Sequence, residues 1–259
     1  MSEWHVGTLG EVVDKAGGVI RTGPFGSQLH RYEYVRDGDV VVVMPKDMVD
    51  GRIASNSAAR IDRGTATRLA DHLLRPADIV LARRGDIGRA AWVHPRDGEV
   101  LCGTGSMRIH LPDGELAARY LHYFLQTDEA IGWLRGQAVG ATMPNLNADI
   151  VRALPVRYPT RQTQTRVIEI LDSLVELIEN NRRRIALLEQ MAQAIYREWF
   201  VHFRYPGHKD AELVDSPLGP LPTGWEHLRF GDLVQLHYGK ALKADARCGG
   251  EVAVVGSSG

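Results

Sequence analysis

The sequence lacks several patterns that mark enzymes and metal proteins. Its two cysteines, Cys102 and Cys248, form no CxxC pair, so we expect a reducing cytoplasm and no structural zinc site. None of its 12 prolines adjoins another, which excludes the Asn/Asp-Pro-Pro-aromatic loop of an amino-methyltransferase. Its histidines form no HExxH or HxxxH pair, and its glycine-rich segments lack the GKS/T ending of a phosphate loop. We therefore expect no catalytic site, cofactor or metal in this chain.

The sequence also lacks an excess of positive charge and a long apolar run. There are 31 Lys and Arg residues against 32 Asp and Glu residues, so any nucleic-acid footprint has to be a local patch. No apolar run approaches the roughly 20 residues that span a bilayer, and the N-terminus has no signal-peptide pattern. We expect a cytoplasmic protein with no membrane partner.

Residues 1–158 carry short strand-like runs separated by turn signals. Val40–Val43 follows Asp37-Gly38-Asp39, and Ile79–Ala82 follows Arg75-Pro76-Ala77-Asp78. One helical stretch is predicted over 117–134 from mixed three- and four-residue spacing of apolar residues. We predict an α+β fold for this part, a globular mixed α/β domain over 1–158.

Between Pro159 and Pro206 the sequence contains neither Gly nor Pro. Apolar residues recur there at alternating spacings of four and three, the heptad pattern of a coiled coil. We predict a long helix over 159–205, about 60 Å long, whose seam pairs with another helix. The predicted pairing residues are Val167, Leu171, Leu174, Ile178, Asn181, Ile185, Leu188, Ile195 and Trp199, with Ala192 on the same seam.

The charges on this predicted helix differ between its halves. Residues 163–180 carry one arginine and four acidic residues, whereas 181–204 carry five arginines and two glutamates. An antiparallel pair of identical helices would set acid against base, with Asn181 near the centre fixing the register. The alternative is a long amphipathic helix that folds back on its own domain.

A segment rich in Pro and Gly, 206–222, is predicted as a linker, and a repeat follows it. Trp225–Val234 matches Trp4–Val13 in its Trp, Gly, acidic, aliphatic and Val positions, at an offset of 221 residues. We interpret 223–259 as the beginning of a second, incomplete copy of the first domain. This copy is too short to form the core of the first one.

Several stretches resemble the specificity (S) subunits of type I restriction-modification systems. The resemblance is carried by the order and spacing of segments along the whole chain. These segments are Trp4 with Leu9–Val12, Thr22–Leu29, Asp78–Arg89, Gly140–Asn147 with Leu154–Val156, and the helix that begins near Gln162.

The resemblance implies a non-catalytic DNA-specificity subunit with two target-recognition domains and two antiparallel helices. Each domain would read half of a split DNA target, and the helices would act as a ruler and dock methyltransferase (M) subunits. S-adenosylmethionine would bind the M subunits, which methylate adenine, and restriction (R) subunits are further implied partners. This sequence departs from the pattern by having one domain, one helix and the start of a second domain. A second copy, or another S-type helix, would supply the missing half.

DNA reading needs cations for phosphates and amide or guanidinium groups for base edges. Three glycine-containing segments and one strand end supply such groups. The candidate DNA-binding residues are Arg21, Ser27, Gln28, His30, Arg31, Lys46, Arg83, Arg84, Arg89, Thr142, Asn145 and Asn147. The sequence does not separate base contacts from phosphate contacts. The competing hypothesis is a coiled-coil scaffold whose globular head binds protein.

Overall fold

The structure, a computed structural model, describes residues 4–140 and 145–239. Its strands are β1 (His5–Thr8), β2 (Val19–Thr22), β3 (Tyr34–Val35), β4 (Val40–Val43), β5 (Met48–Val49), β6 (Arg52–Ile53), β7 (Ala59–Ile61), β8 (Ile79–Ala82), β9 (Ala90–Trp92), β10 (Val100–Cys102), β11 (Ser106–His110), β12 (Pro155–Tyr158), β13 (Leu213–Val214) and β14 (Leu221–Pro222). Its α-helices are α1 (Leu9–Lys15), α2 (Arg63–Arg68), α3 (Ala118–Phe124), α4 (Asp128–Gln137), α5 (Ala148–Arg152), α6 (Arg161–Tyr196) and α7 (Phe230–Leu233).

Two four-stranded sheets form the centre of the globular part. One has the order β10-β4-β7-β3, and the other has the order β2-β11-β8-β9. The β10–β4 pair is parallel, and the other pairs in these sheets are antiparallel. The predicted strands Val40–Val43 and Ile79–Ala82 are confirmed with the same bounds, as β4 and β8.

Strands β4 and β8 are apolar at every position because both of their faces are buried. In β8, Ile79 and Leu81 pack against the helices, whereas Val80 and Ala82 face the other sheet. In β4, Val41 joins the core between the sheets, and its neighbours Val40 and Val42 pack on the far side with α2. The result is a stack of helices, sheet, sheet and helix, and the fold class predicted from the sequence is confirmed.

The predicted single helix over 117–134 is wrong, because the structure has two helices there. α3 ends at Phe124, and Thr127 caps the start of α4 by accepting a 3.3 Å hydrogen bond from the Ala130 N–H. Thr followed by two acidic residues is a typical helix N-terminus. The apolar spacing continued across this break and concealed it.

His122, in α3, is buried in a polar environment. Its Nε2 lies 3.1 Å from the Gly51 carbonyl oxygen, and its Nδ1 lies 3.3 Å from Nη1 of Arg119. Burial, reinforced by the Arg119 charge, lowers the pKa of His122 to about 3. The imidazole is therefore neutral, with Nε2 donating to Gly51 and Nδ1 accepting from Arg119.

The low pKa of His122 predicts a loss of stability in mild acid. The unfolded histidine titrates near its ordinary pKa of about 6.5. The unfolded chain therefore binds more protons between that pH and the folded pKa, and stability falls as the pH falls through this window. We expect His122 alone to lower the free energy of unfolding by about 2 kcal/mol between pH 7 and pH 5.

Urea unfolding of the wild type and His122→Asn at these two pH values measures this contribution. The variant should lose less stability on acidification than the wild type. Some dependence should remain, because burial also lowers the pKa of His72. His237→Asn, at an exposed position, should behave as the wild type. If the free energy of unfolding depends on pH equally in the wild type and in His122→Asn, His122 does not have a lowered pKa in the folded protein.

Helix α6 runs for 36 residues, as the gap without Gly or Pro predicted, and continues into a π-helical turn over Arg197–Val201. Its beginning is anchored by the fully buried Gln164. The Gln164 amide donates 2.8 Å hydrogen bonds to the carbonyls of Glu115 and Pro159, and its oxygen accepts one of 2.8 Å from the Ala117 N–H. These bonds use the whole amide and fix where α6 begins.

The chain divides into two compact units, Met1–Asn180 and Asn181–Gly259. The division lies inside α6, whereas the sequence placed the domain boundary at 158. Along the predicted seam, Leu174 and Ile178 are exposed, as are Ile185, Leu188 and Ile195 in the second unit. Val167 and Leu171 are half-buried, so part of the seam is covered within its own unit.

The acidic half of α6 is partly neutralised within the first unit, so its charge favours an antiparallel partner less than the sequence predicted. Asp172 and Glu179, two of the four acidic residues in the first half of α6, form ion pairs within the first unit. They are therefore not available to arginines of another helix in this conformation. The sequence left open a second possibility, in which the long helix folds back on its own domain. One face of residues 161–180 packs in this way.

The second unit has an aromatic cluster around Trp225. The ring centre of Trp225 lies 5.5 Å from Phe200, 5.6 Å from Phe203 and 5.4 Å from Tyr205. β13 and β14 form a two-stranded sheet in the segment predicted as a linker.

The predicted repeat has a structural counterpart at the same offset. In the first copy, the Thr8 N–H donates to the Glu11 carboxylate at 2.8 Å as α1 begins at Leu9. In the second, the Arg229 N–H donates to the Asp232 carboxylate at 3.1 Å as α7 begins at Phe230. Bonds of this kind also begin the 3-10 helices at Arg31, Pro45 and Pro95. The interpretation of 223–259 as the start of a second copy therefore stays a prediction from the sequence.

Candidate nucleic-acid interface

Backbone hydrogen bonds bring the ends of several strands to one edge of the two sheets. The Val43 carbonyl, at the end of β4, accepts from the Gly103 N–H at 3.0 Å and from the Ser106 hydroxyl at 2.8 Å. The Gly23 N–H donates to the Ser106 carbonyl at 2.9 Å, and the Arg83 N–H donates to the Gly105 carbonyl at 3.0 Å. We name the segments that meet here, 23–32, 44–47, 83–89 and 103–105, the loop edge.

Two glycines allow the backbones at the loop edge to approach closely. A Cβ atom at position 23 would lie 2.0 Å from the Gly103 carbonyl oxygen. A Cβ atom at position 103 would lie 2.6 Å from both the Met44 sulfur and the Val43 carbonyl oxygen. Any side chain at either position would force the loops apart.

Arg84 and Asn145 meet at this edge although 60 residues separate them. The Arg84 Nε donates to the Asn145 side-chain oxygen at 3.2 Å, and the two residues form an isolated antiparallel bridge. The Leu146 N–H also donates to the Arg83 carbonyl at 2.8 Å, which attaches this segment to the loop edge. Arg84 is exposed, and only its Nε is engaged by this bond to Asn145.

Arg83 lies behind the surface, in contrast to the exposed position expected of a phosphate contact. It is 4% exposed, and its guanidinium carbon lies 5.7 Å from the ring centre of the exposed Phe25. Its Nε has no hydrogen-bond partner among the described residues. Burial, reinforced by the Arg84 charge, lowers the pKa of Arg83. Arg83 therefore supplies positive potential beneath Phe25.

Gln28, Ser27, His30 and Arg31 lie exposed on the first loop of this edge. The Gln28 side-chain oxygen accepts from the Phe25 N–H at 2.9 Å, which leaves its amide nitrogen for other contacts. His30 stacks on an exposed tyrosine, Tyr32, at 5.3 Å between ring centres, and Arg31 begins a short 3-10 helix. Lys46 is exposed in the 3-10 helix Pro45–Asp47.

Other predicted contact residues are engaged within the fold or lie elsewhere. Arg21 lies in β2 rather than in the loop, 3.2 Å from Asp71. Arg89 forms a 2.6 Å ion pair with Asp86. The Asn147 side-chain oxygen caps α5 by accepting from the Ile150 N–H at 2.8 Å. Thr142 lies outside the described residues.

Two exposed aromatic rings and one supporting arginine at this edge were not predicted from the sequence. Phe25 and Tyr32 are large exposed rings at the loop edge, and aromatic rings between basic residues are a signal of nucleic-acid binding. Arg68 donates to the Gln28 carbonyl at 2.8 Å and pairs with Glu33, so α2 supports the first loop. No local pattern reveals Arg68, because its partners lie 35 and 40 residues away.

Residues 1–190 match the protein family described as the type I restriction modification DNA specificity domain. The chain belongs to this family. The matched range contains the loop edge and most of α6, so the family resemblance found in the sequence is confirmed. It also ends within the helix, so the family domain combines the globular part with the helix.

Curated relatives are type I specificity subunits of greater length. The chain is 23% identical over 239 residues to the type I restriction enzyme MjaIX specificity subunit of Methanocaldococcus jannaschii, covering 92% of this chain and 53% of that protein. It is 22% identical over 219 residues to the HindI specificity subunit of Haemophilus influenzae, covering 83% of this chain and 45% of that protein. The chain thus spans about half the length of these relatives.

Solved structures show the same fold at low sequence identity. The crystal structure of a type I restriction-modification S subunit from M. genitalium matches with a TM-score of 0.59 and 15% identity, covering 92% of this chain and 58% of that chain. A chain from a structure on complex assembly and conformational transition of the type I system matches with a TM-score of 0.50 and 17% identity, covering 75% of this chain and 45% of that chain.

The described part of this specificity-domain chain has no cluster of metal ligands. No group of three His, Cys, Asp or Glu residues in 4–140 and 145–239 could hold a metal ion. Cys102 is buried, and burial raises the pKa of its thiol to about 12, so it is not a nucleophile at neutral pH. No helix in these ranges is long and apolar enough to cross a membrane.

Proposed function

We propose that this chain reads one half of a bipartite DNA target through the loop edge and performs no catalysis itself. The observation that carries the proposal is the meeting of four separate loops at one edge, where Arg84 and Asn145 form a hydrogen-bonded pair. Guanidinium and amide groups are the side chains best suited to base edges, and neighbouring cations suit phosphates.

Arg84 is the best candidate for a base contact. Its Nε is bonded to Asn145, which leaves both terminal nitrogens of the guanidinium fork to bond O6 and N7 of a guanine together. Arg31, His30 and Lys46 are exposed on other segments of the loop edge and would contact phosphates. Phe25 and Tyr32 add apolar surface to the same edge.

The partners follow from family membership and from the apolar surface of α6. A second copy, or another S-type helix, would cover the exposed seam residues in an antiparallel coiled coil. Two identical copies would recognise an interrupted palindrome, because each would read the same half-site. M subunits carrying S-adenosylmethionine would dock on the helices and methylate the target, and R subunits would join for cleavage. The support for antiparallel pairing is the exposed seam, since part of the acidic half is engaged internally.

The test is duplex binding by the purified chain with its M subunits at several salt concentrations. Arg84→Lys keeps the charge but loses the fork, so we expect a loss of about 1–3 kcal/mol in discrimination at one base pair, with an unchanged salt dependence. Lys46→Ala is the matched variant. It should weaken binding to all duplexes and reduce the salt slope by about one.

Unchanged discrimination between base pairs in Arg84→Lys would remove Arg84 from the reading surface. DNA binding without salt dependence, or no DNA binding at all, would instead favour the protein-binding scaffold.

A further inference from the structure

One face of the first half of α6 is tied to the globular part by polar side chains. Gln164, Asp172 and Glu179 lie eight and seven residues apart, and therefore on one face of the helix. Ile168 and Val175 lie between them and are only half-buried. Directional polar contacts thus dominate this face. The apolar residues Leu174 and Ile178 lie elsewhere on the helix and are exposed.

Arg119, in α3, makes the central contact with this face. Its Nε and Nη2 donate to Oδ1 of Asp172 at 2.8 and 2.5 Å, and Nη2 also donates to the Tyr123 hydroxyl at 3.0 Å. The Tyr123 hydroxyl donates to the same Asp172 oxygen at 2.5 Å. The guanidinium carbon lies 5.1 Å from the ring centre of Trp92 and 4.7 Å from that of Tyr123. The Arg119 guanidinium is thus contacted on its faces by aromatic rings and along its edge by hydrogen-bond acceptors. These contacts restrict both the position and the angle of α6.

The β5–β6 hairpin contacts α6 directly through Arg52 and supports Arg119 through His122. Asp50 and Gly51 have φ values of 50° and 76°, the left-handed conformation of a tight hairpin turn. The Gly51 carbonyl accepts from Nε2 of His122, whose other nitrogen accepts from Arg119. The next residue, Arg52, forms an ion pair with Glu179.

The same hairpin is attached to the loop edge. Nη1 of Arg89, in the third loop, donates to the Met48 carbonyl at 3.3 Å. Asp47 precedes the hairpin and is buried: its carboxylate accepts from the Met44 N–H at 3.0 Å, and its carbonyl accepts from the Ala54 N–H at 2.8 Å. Continuous hydrogen bonding therefore connects the loop edge to α6 through the hairpin.

We propose that Arg119, Tyr123, Gly51 and Arg52 form a clamp that fixes α6 relative to the loop edge and thereby sets the gap between the two half-sites. These are positioning residues that do not contact DNA. The proposal rests on the proposed function, because a gap exists only if the loop edge reads DNA. A long helix transmits a small change of angle at its base into a large displacement at its far end, so gap selection demands a rigid base.

The first experiment measures the clamp without DNA. Spin labels are placed at the exposed positions Ser57 and Ser173 in the full chain, with Cys248 replaced by serine. Cys102 is buried with a raised pKa and stays unlabelled. The wild type should give one narrow distance distribution. Arg119→Lys retains the charge but loses the fork and the stacking, and should roughly double its width. Arg63→Lys, an exposed arginine 3.0 Å from Glu99, is the matched control and should leave the width unchanged.

The second experiment sequences the methylated sites in a host carrying the M partner and each variant. The wild type should methylate one gap length. Arg119→Lys should methylate neighbouring gap lengths as well, with unaltered half-site sequences. Asp172→Asn keeps the shape of the acceptor without its charge, and it should broaden the set of gap lengths to a smaller extent. This variant keeps the test decisive if Arg119→Lys proves poorly folded.

The outcomes separate the clamp from the proposed function. An unchanged distance distribution in Arg119→Lys and Asp172→Asn overturns the clamp. If the distance distribution broadens but the variant still methylates a single gap length, the clamp does not set the gap. If the wild type directs no methylation motif at all, the proposed function and the gap assignment fail together. The distance measurement then still decides whether the clamp holds the helix.

Discussion

Gly23→Ala is expected to disrupt the loop edge and abolish sequence-specific DNA binding. The added Cβ would lie 2.0 Å from the Gly103 carbonyl oxygen, a backbone atom that cannot move without displacing the β10–β11 loop. Gly103 in turn packs closely against Val43 and Met44, so the strain would pass to the loop that carries Lys46. We expect a loss of about 2–3 kcal/mol in the free energy of unfolding.

Gly26→Ala is the matched control in the same loop. A Cβ there meets no atom within 4 Å, and the position requires no left-handed backbone. This variant should keep the stability of the wild type and most of its affinity for the methylated motif. Urea unfolding and duplex binding measure both variants. Equal stability and equal binding in Gly23→Ala and Gly26→Ala would contradict the close approach of the loops.

Deleting residues 182–188 from α6 is expected to shorten the gap between the half-sites by about three base pairs. Seven residues of helix correspond to about 10 Å, and base pairs are about 3.4 Å apart. The bases of the two helices approach by this length because the shortened seams pair again over their whole length, and Asn181 then no longer sets the register. The deletion removes one whole heptad, so Ala192 takes the seam position of Ile185 and the pattern continues. The half-site sequences should not change, because the loop edge lies in the other unit.

Duplicating residues 182–188 provides the opposite change with the same composition and phase. The gap should then lengthen by a similar amount. The methylated motif of each variant, obtained by sequencing, gives the gap directly. A gap that stays constant in both variants would mean that the helix is not the ruler.

The sheets and the long helix could be predicted because their causes are local. β4 and β8 are uninterrupted apolar runs between turn signals, and burial on both faces produces that pattern. The long stretch without Gly or Pro predicted α6, because these two residues are the ones that most often interrupt a helix. The break between α3 and α4 was missed although its signal was present, since Thr127 with two following acidic residues is a typical cap.

The candidate site was predicted as a set of segments but not as an arrangement. Arg84 and Asn145 were both named from composition, yet their hydrogen bond depends on tertiary packing that a sequence does not display. Arg83 was expected at the surface and is buried, because alternation along the strand end turns one arginine inward and its neighbour outward. The cap formed by Asn147 was predictable from its place before a helix.

The charge pattern of α6 was the least reliable guide. An acidic half and a basic half suggest an antiparallel partner. However, Asp172 and Glu179 form ion pairs with arginines from α3 and the β5–β6 hairpin. Those arginines lie more than 50 residues away in the sequence. Charge complementarity between helices can be argued only after intramolecular ion pairs are known.

The most direct test of the central claim is methylation sequencing of a host that expresses this chain and its M partner, with Arg84→Lys in parallel. We predict an interrupted palindrome with one fixed gap in the wild type. In the variant, we predict relaxed recognition at the same base pair of both half-sites. A motif that is absent from the wild type, or identical in both hosts, would contradict the assignment of the loop edge as the surface that reads DNA.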